Sequence, residues 1–249
     1  MNMDLRECHV HGPFRGTVCP VCGMNARLLM GEREVDKLSK ILAGMLRHFP
    51  ERYGVRLDEH GWVRISDIVP PIRMNINGFR WLTQEHVETM IKTEERDRYQ
   101  LDDTGRVRAR YGHTIPVNMD DLPTDNIPDS LYYQTTPEED EFIQESGISP
   151  SDKTWIHLSG TYRKAYFSGL FHVEEPKIIG VRVPQLVESG MPVYRATDDI
   201  YLVASVPGEF LFTPEKEEIV LSDEEKEMIS IVKEKREQRK DRQSGFDSY

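Results

Sequence analysis

Nowhere in its 249 residues does the chain hold an apolar run approaching the ~18 to 20 residues a membrane-spanning helix needs. It also lacks a cationic excess: 32 Lys and Arg stand against 43 Asp and Glu, a formal net charge of −11. That balance excludes a protein that coats nucleic acid through a broad basic surface, yet leaves room for a basic pocket sized for one phosphate. The acidic runs PEEDE (137–141) and SDEEKE (222–227) read as solvated faces and tails. The first ten residues, MNMDLRECHV, are acidic and polar where a secretory leader has its apolar core, so a cytoplasmic protein is expected. No internal repeat is found, and no cysteine follows position 22.

The three cysteines that are present crowd into CHVHGPFRGTVCPVCG. Cys19-Pro-Val-Cys22-Gly turns two thiols toward one point, and Cys8 with His11 repeats the same two-residue gap upstream. Three sulfurs and one imidazole make the closed tetrahedral set of structural zinc, with no position left for a reacting water. His9 is the alternative nitrogen, at a poorer spacing from Cys8. The competing reading is three free thiols or a redox Cys-x-x-Cys. A segment this short cannot fold on apolar burial, so metal would supply its folding free energy.

Beyond the knuckle, Val35, Leu38, Ile41, Leu42, Met45, Leu46 and Phe49 fall on one helical face. Arg47 and His48 then occupy the last turn, where cations suit the helix dipole. They either cap that helix or wait for an anion. GWVRISDIVPPI reads as a short strand, then a helix capped by Ser66 or Asp67 that stops at Pro70-Pro71. Thr83 opens a further helix with Val87, Met90 and Ile91 in period, and DRYQLDDTGRVRARYGHTIPV forms a hairpin about Asp102–Gly105. Helices followed by a hairpin suggest a winged-helix-like lobe. NMDDLPTDNIPDS (118–130) reads as a linker. A strand-rich lobe follows, with strands at LYYQT, TWIHLSG, KIIGVRVP, PVYRAT, DIYLVASVP and EFLF, and helices near 137–146 and in GTYRKAYFSGL. From Pro214 a charged helix fades into a disordered end.

Arg47-His48 with Pro50-Glu51, Gly54, Asp58 and Gly61-Trp62 resembles the opening of the RNA 2'-phosphotransferases, and the series continues in DRYQL, RVRARYGHTIPV, LYYQT, WIHLS and VPGEFL. The resemblance covers most of 34–212, and archaeal members often carry a zinc knuckle in front. It implies an α+β chain with a zinc knuckle (1–30), a winged-helix-like RNA lobe (31–117), a linker (118–130), an ADP-ribosyltransferase-like NAD lobe (131–213) and a charged helical tail (214–249). It implies NAD-dependent removal of a 2'-phosphate from RNA, such as a tRNA splice junction. The RNA phosphate would attack C1'' of the NAD ribose, expelling nicotinamide; the ribose 2''-hydroxyl would then release 2'-hydroxyl RNA and ADP-ribose 1'',2''-cyclic phosphate. By motif position the catalytic set is Arg47, His48, Arg98 and Lys153, and the NAD contacts are Tyr133, Thr135, His157 and Ser159. The metal ligands are Cys8, His11, Cys19 and Cys22. RNA and NAD are the implied partners, with no membrane and no stable protein partner.

The second lobe departs from the family pattern. Tyr133-Gln134-Thr135 stands for His-Gly-Thr, Lys153 for an Arg, Tyr111-Gly112-His113-Thr114 for Gln-Gly-His-Ser, and Asp198-Asp199-Ile200 for Asn-Gly-Val. Lysine keeps the charge but loses the planar fork that grips two phosphate oxygens. His157, on an apolar strand, reads equally as a core histidine. Two other functions therefore stand beside the first: an RNA-binding relative that no longer transfers phosphate, and an ADP-ribosyltransferase that stops after the first step or modifies a different terminal phosphate.

Overall fold

The computed structural model describes residues 4–244. The chain divides into two units, one of residues 1–122 with 151–155, the other of residues 123–150 with 156–249.

The first unit opens with three short antiparallel strands, β1 (Leu5–Cys8), β2 (Gly12–Arg15) and β3 (Arg27–Met30), in the order β2-β1-β3. Their own apolar cluster is Cys8, Phe14 and Cys19 with Ala26 beside it, too little to fold on burial alone. Leu5 and Met30 instead join the main core of the unit.

Helix α1 (Glu32–Ala43) buries Val35, Leu38, Ile41 and Leu42, the face that the period predicts. The predicted continuation to Phe49 exists in altered form. Gly44–His48 is a π-turn, closed by the Phe49 amide donating to the Gly44 carbonyl at 2.7 Å. Met45 and Leu46 stay buried, but the wider turn shifts the phase and leaves Phe49 42% exposed, off the face assigned to it. A Cβ at Gly44 would stand 2.9 Å from the Tyr53 hydroxyl oxygen, so glycine lets Tyr53 close against the turn.

Strand β4 (Val63–Arg64) leads directly into α2 (Ile65–Asn75), then α3 (Gln84–Lys92), β5 (Tyr99–Leu101) and β6 (Arg106–Ala109), with sheet order β4-β6-β5. Two expectations fail at α2. It starts at Ile65 with Arg64 in the cap position and no side-chain cap, and it runs through Pro70 and Pro71 rather than stopping there. Each proline forfeits an amide donor, but Ile65, Ile68, Val69 and Ile72 share one buried face, and that burial outweighs the local preference. α3 begins as expected, its Thr83 hydroxyl accepting from the His86 amide. In the hairpin turn the Asp102 carboxylate accepts from the Thr104 and Arg106 amides at 3.0 and 2.8 Å. Residues 118–122, read as the start of a linker, pack into this unit: Met119 and Leu122 are buried.

The second unit is a six-stranded antiparallel sheet of order β10-β11-β8-β7-β9-β12. The strands are β7 (Ser130–Thr135), β8 (Ile156–Ser159), β9 (Lys177–Arg182), β10 (Tyr194–Arg195), β11 (Ile200–Val203) and β12 (Leu211–Phe212). Helices α4 (Asp140–Ser146), α5 (Tyr162–Leu170) and α6 (Val183–Glu188) connect them. α6, with proline near its start, lay in a stretch read only as the end of a strand. Along β7, Leu131 and Tyr133 face the core that holds Leu158, Ile179 and Val203, whereas Tyr132 faces the Tyr162–Ala165 side of α5. The charged helix α7 (Asp223–Ser244) is more than an appendage: Arg163 grips both Glu225 oxygens at 2.7 and 2.8 Å, and Ile229 is buried. The end of the tail, read as disordered, lies from 245 onward outside the described residues. Among the described residues, no helix is long and apolar enough to cross a membrane.

Leu42, fully buried in α1, sets a test of the core. Leu42→Ala is expected to cost about 2–5 kcal/mol in chemical denaturation; an unchanged midpoint would mean α1 does not anchor the unit.

Candidate functional site

Cys8 ends β1, His11 sits in the turn before β2, and Cys19 and Cys22 bracket a tight turn closed by the Gly23 amide donating to the Cys19 carbonyl at 2.8 Å. The four side chains bring Cys8 Sγ, His11 Nδ1, Cys19 Sγ and Cys22 Sγ within 4.8 Å of one another. His11 Nδ1 is 3.6 Å from both Cys8 and Cys19 sulfurs, and Cys8 and Cys22 sulfurs are 3.9 Å apart. A tetrahedral shell of three sulfurs and one nitrogen has edges of about 3.5 Å (sulfur to nitrogen) and about 3.8 Å (sulfur to sulfur). The cluster therefore fits a metal ion. His9 is exposed and outside it.

The Arg47–His48 pair leaves the π-turn beside the segment 111–114. The Thr114 amide donates to the Arg47 carbonyl at 2.9 Å, and His48 Nδ1 meets the Thr114 hydroxyl at 3.1 Å. The Arg47 guanidinium carbon lies 5.0 Å from the Tyr111 ring centre and 5.7 Å from that of Tyr99. A Cβ on Gly112, at φ +84°, would come within 3.2 Å of Arg47 Nη1, so the backbone there is kept bare for the guanidinium. Arg47 Nε and Nη2 are buried and have no hydrogen-bond partner. Such donors are costly to bury unmatched, and an anion would match them.

Lys153, expected in the second lobe, groups with the first unit. The Thr154 amide donates to the His113 carbonyl at 3.0 Å, and Trp155 Nε1 to the Val117 carbonyl at 3.0 Å, so residues 153–155 run along 113–117. Burial pushes the His48 imidazole below the ordinary histidine pKa, and the charges of Lys153 and Arg47 push it the same way. Lys153 itself pairs with Asp152. Arg98 arrives from β5's approach: its guanidinium is paired with Glu94, its Nη2 donates to Ser39 Oγ at 3.0 Å, and it lies 5.7 Å from the Tyr99 ring centre. Arg15 of β2 locks the segment before Glu94, its Nε donating to Thr93 Oγ1 at 3.0 Å and its Nη2 to the Met90 carbonyl at 2.9 Å. The metal-cluster sheet is thus bolted to the end of α3 from which Arg98 is held.

In the second unit β7 and β8 pair at one position, Tyr132 with Ser159, and diverge beyond it. A cleft of about 270 Å³ opens there, lined by Gln134, His157, Ser159, Lys164, Ser168 and Asp199 among others. His157 and Ser159, expected as NAD contacts, both line it. Tyr133 and Thr135 are not among the lining residues: Tyr133 packs on the core, and the Thr135 hydroxyl donates to Glu139 at 3.2 Å. Gln134, Lys164, Ser168 and Asp199 were not singled out as contacts. Strand alternation puts Gln134 on the opposite face from Tyr133 and Thr135; nothing in the sequence marks Lys164 or Ser168.

Chemically, a small anion would satisfy the two unmatched donors of Arg47. Comparison with known proteins supplies the class: residues 32–205 match the RNA 2'-phosphotransferase, Tpt1/KptA family, and the chain belongs to it. It is 50% identical over 232 residues to a probable RNA 2'-phosphotransferase of Thermoplasma volcanium, covering 93% of this chain and 97% of that protein. The protein of that name from Thermoplasma acidophilum is 49% identical over the same shares, and that from Methanosarcina barkeri 36% identical over 85% of this chain and all of its own length.

Two outcomes are expected. Removal of the metal by a strong chelator, or Cys19→Ser, should lower the melting temperature and abolish stoichiometric metal binding; unchanged melting would make the cluster a set of free thiols. In Lys153→Ala a like charge leaves His48, so its protonated form is less disfavoured. The His48 pKa measured by NMR should rise toward the ordinary value, and no rise would place Lys153 away from it.

Proposed function

We propose that the chain removes a 2'-phosphate from RNA by transferring it to NAD, giving 2'-hydroxyl RNA, nicotinamide and ADP-ribose 1'',2''-cyclic phosphate. Family membership supports the reaction class. The observation that carries the phosphate site is Arg47, with two buried donors and no partner for either.

On this reading the first unit is a winged-helix-like RNA lobe, a view supported by its order α1-β4-α2-α3-β5-β6. Arg47 grips two phosphate oxygens through its fork, and the Tyr99 and Tyr111 rings and bare Gly112 keep it in place. His48, held neutral in the free site, gains a proton as the dianion arrives, because the phosphate offsets the repulsion from Arg47 and Lys153. Lys153 then supplies a point charge, and Arg98 reaches the phosphate as a guanidinium pre-oriented by Glu94 and Ser39. These donors stabilise charge on the migrating phosphoryl group.

The second unit would be the ADP-ribosyltransferase-like lobe, and the splayed β7–β8 cleft, nucleoside-sized, is its NAD site. When bound, NAD supplies the accepting ribose, whose bond to nicotinamide breaks as the phosphate oxygen bonds to it. His157, Ser159 and Gln134 offer hydrogen bonds there, and Lys164 with Asp199 forms an ion pair at the cleft. Tyr133 and Thr135 act behind the strand, shaping it from its other face. The knuckle metal is zinc in a structural role, the RNA is a spliced tRNA, and the compartment is the cytoplasm.

The test is a single-turnover incubation of RNA bearing one internal 2'-phosphate, with and without NAD. NAD-dependent dephosphorylation is expected, and Arg47→Ala should slow it by about 10²–10³ with the circular dichroism unchanged. RNA that binds but stays phosphorylated at saturating NAD would overturn the transfer and leave a phosphate-reading RNA-binding protein.

A further inference from the structure

A second basic site lies on the first unit, away from Arg47. The turn joining α2 to α3 forms a cavity of about 230 Å³ lined by Arg73, Met74, Asn77, Arg80 and Trp81 among others. Arg73, Arg80 and Asn77 are exposed, and Met74 and Trp81 are 81% and 38% exposed. Arg73 Nε donates to the Arg80 carbonyl at 3.1 Å, tying one wall to the other. Lys37 of α1 donates to the Asn77 carbonyl at 2.8 Å and lies 5.4 Å from the Phe79 ring centre, adding a third cation. Among the described residues no carboxylate lies within 4.0 Å of Lys37, Arg73 or Arg80. Trp81 is braced on its edge by His86, ring centres 5.0 Å apart at 83°, and by Phe79 at 5.9 Å.

The charge of the chain is divided unevenly. The first unit holds 19 Lys and Arg against 19 Asp and Glu, the second 13 against 24, so the whole −11 belongs to the second. An anionic polymer is therefore not repelled by the first unit as a whole, and at this turn it meets cations without counter-charges. A braced, exposed indole between arginines is the arrangement that stacks a base while the flanking phosphates are neutralised.

We propose that the α2–α3 turn is a second RNA contact, in which Trp81 stacks on an unpaired base and Arg73 and Arg80 hold the phosphates on either side. It deepens the function proposed above and rests on that function's RNA substrate. On α1, Lys37 turns to this site and Ser39, two positions on, turns to Arg98. Residues two apart do not share a helix face. The two sites thus lie on different sides of α1, and a strand must be several nucleotides long to touch both.

Length dependence is the readout. Dissociation constants would be measured for a 2'-phosphorylated trinucleotide and for a single strand of about 12 nucleotides with the same central phosphate. In Arg73→Gln/Arg80→Gln, both exposed positions, the longer RNA should bind roughly ten-fold more weakly and its salt slope should fall by about 1.4. Trinucleotide affinity should not change. Trp81→Ala, with an unchanged circular dichroism spectrum, should repeat the loss without the change in salt slope. Equal weakening of both RNAs, or no weakening of either, overturns the proposal, as does a change of oligomeric state in the double variant, which would make the turn a protein interface. Wild-type protein that binds the trinucleotide no better than its dephosphorylated form would instead refute the 2'-phosphate site, while the longer RNA would still report on the turn.

Discussion

Arg47 is half-buried, with two of its donor atoms shut off from solvent and unmatched, and the first unit is arranged around tolerating them. A buried donor left unmatched costs about 1–3 kcal/mol. Two aromatic faces offset part of that, since Tyr99 and Tyr111 lie within cation–π reach. Burial raises the pKa of both phenols against the pull of Arg47 and Arg98, so the rings stay neutral and give no counter-ion. The remaining cost is carried by the large core from Val35 to Ala109. A fold that invests stability in this way leaves two guanidinium donors unsatisfied, and an anion would match them.

Three stretches remote in sequence meet at that charge. The π-turn presents Arg47 and His48, the segment 111–114 supplies Tyr111, Gly112 and Thr114, and residues 153–155 are laid alongside by hydrogen bonds to His113 and Val117. A π-turn suits this presentation, because one extra residue per turn re-aims side chains without ending the helix. The metal cluster enters by a fourth route, through Arg15 to the end of α3, next to Glu94, which holds Arg98. The Cys/His cluster lies apart from Arg47, yet its sheet braces the element that holds Arg98.

What the sequence revealed follows from how local each signal is. Cysteine spacing is local, and the four ligand atoms converge as expected. The α1 face and the Thr83 cap were also legible. The π-turn was not, because it depends on Gly44 admitting Tyr53, nine residues on. α2 runs through two prolines because burial outweighs them, a tertiary effect invisible to local rules. Lys153 was placed by motif order with the second lobe, but two carbonyls, at 113 and 117, draw its segment to the first unit. Of β7, motif matching singled out Tyr133 and Thr135, while the residue that lines the cleft is Gln134, on the strand's other face.

Net charge illustrates the limit of averages. A formal −11 argues against indiscriminate nucleic-acid binding, and the argument holds for the chain as a whole. Divided by unit, the excess lies wholly on the second, while the first is neutral. Under the proposed function, a strand without the right phosphate would be repelled by the second unit and would gain nothing at Arg47. A strand that delivers a dianion to Arg47 would match its two orphaned donors. On that reading selectivity would come as much from the acidic background, which weakens every other complex, as from the contacts themselves.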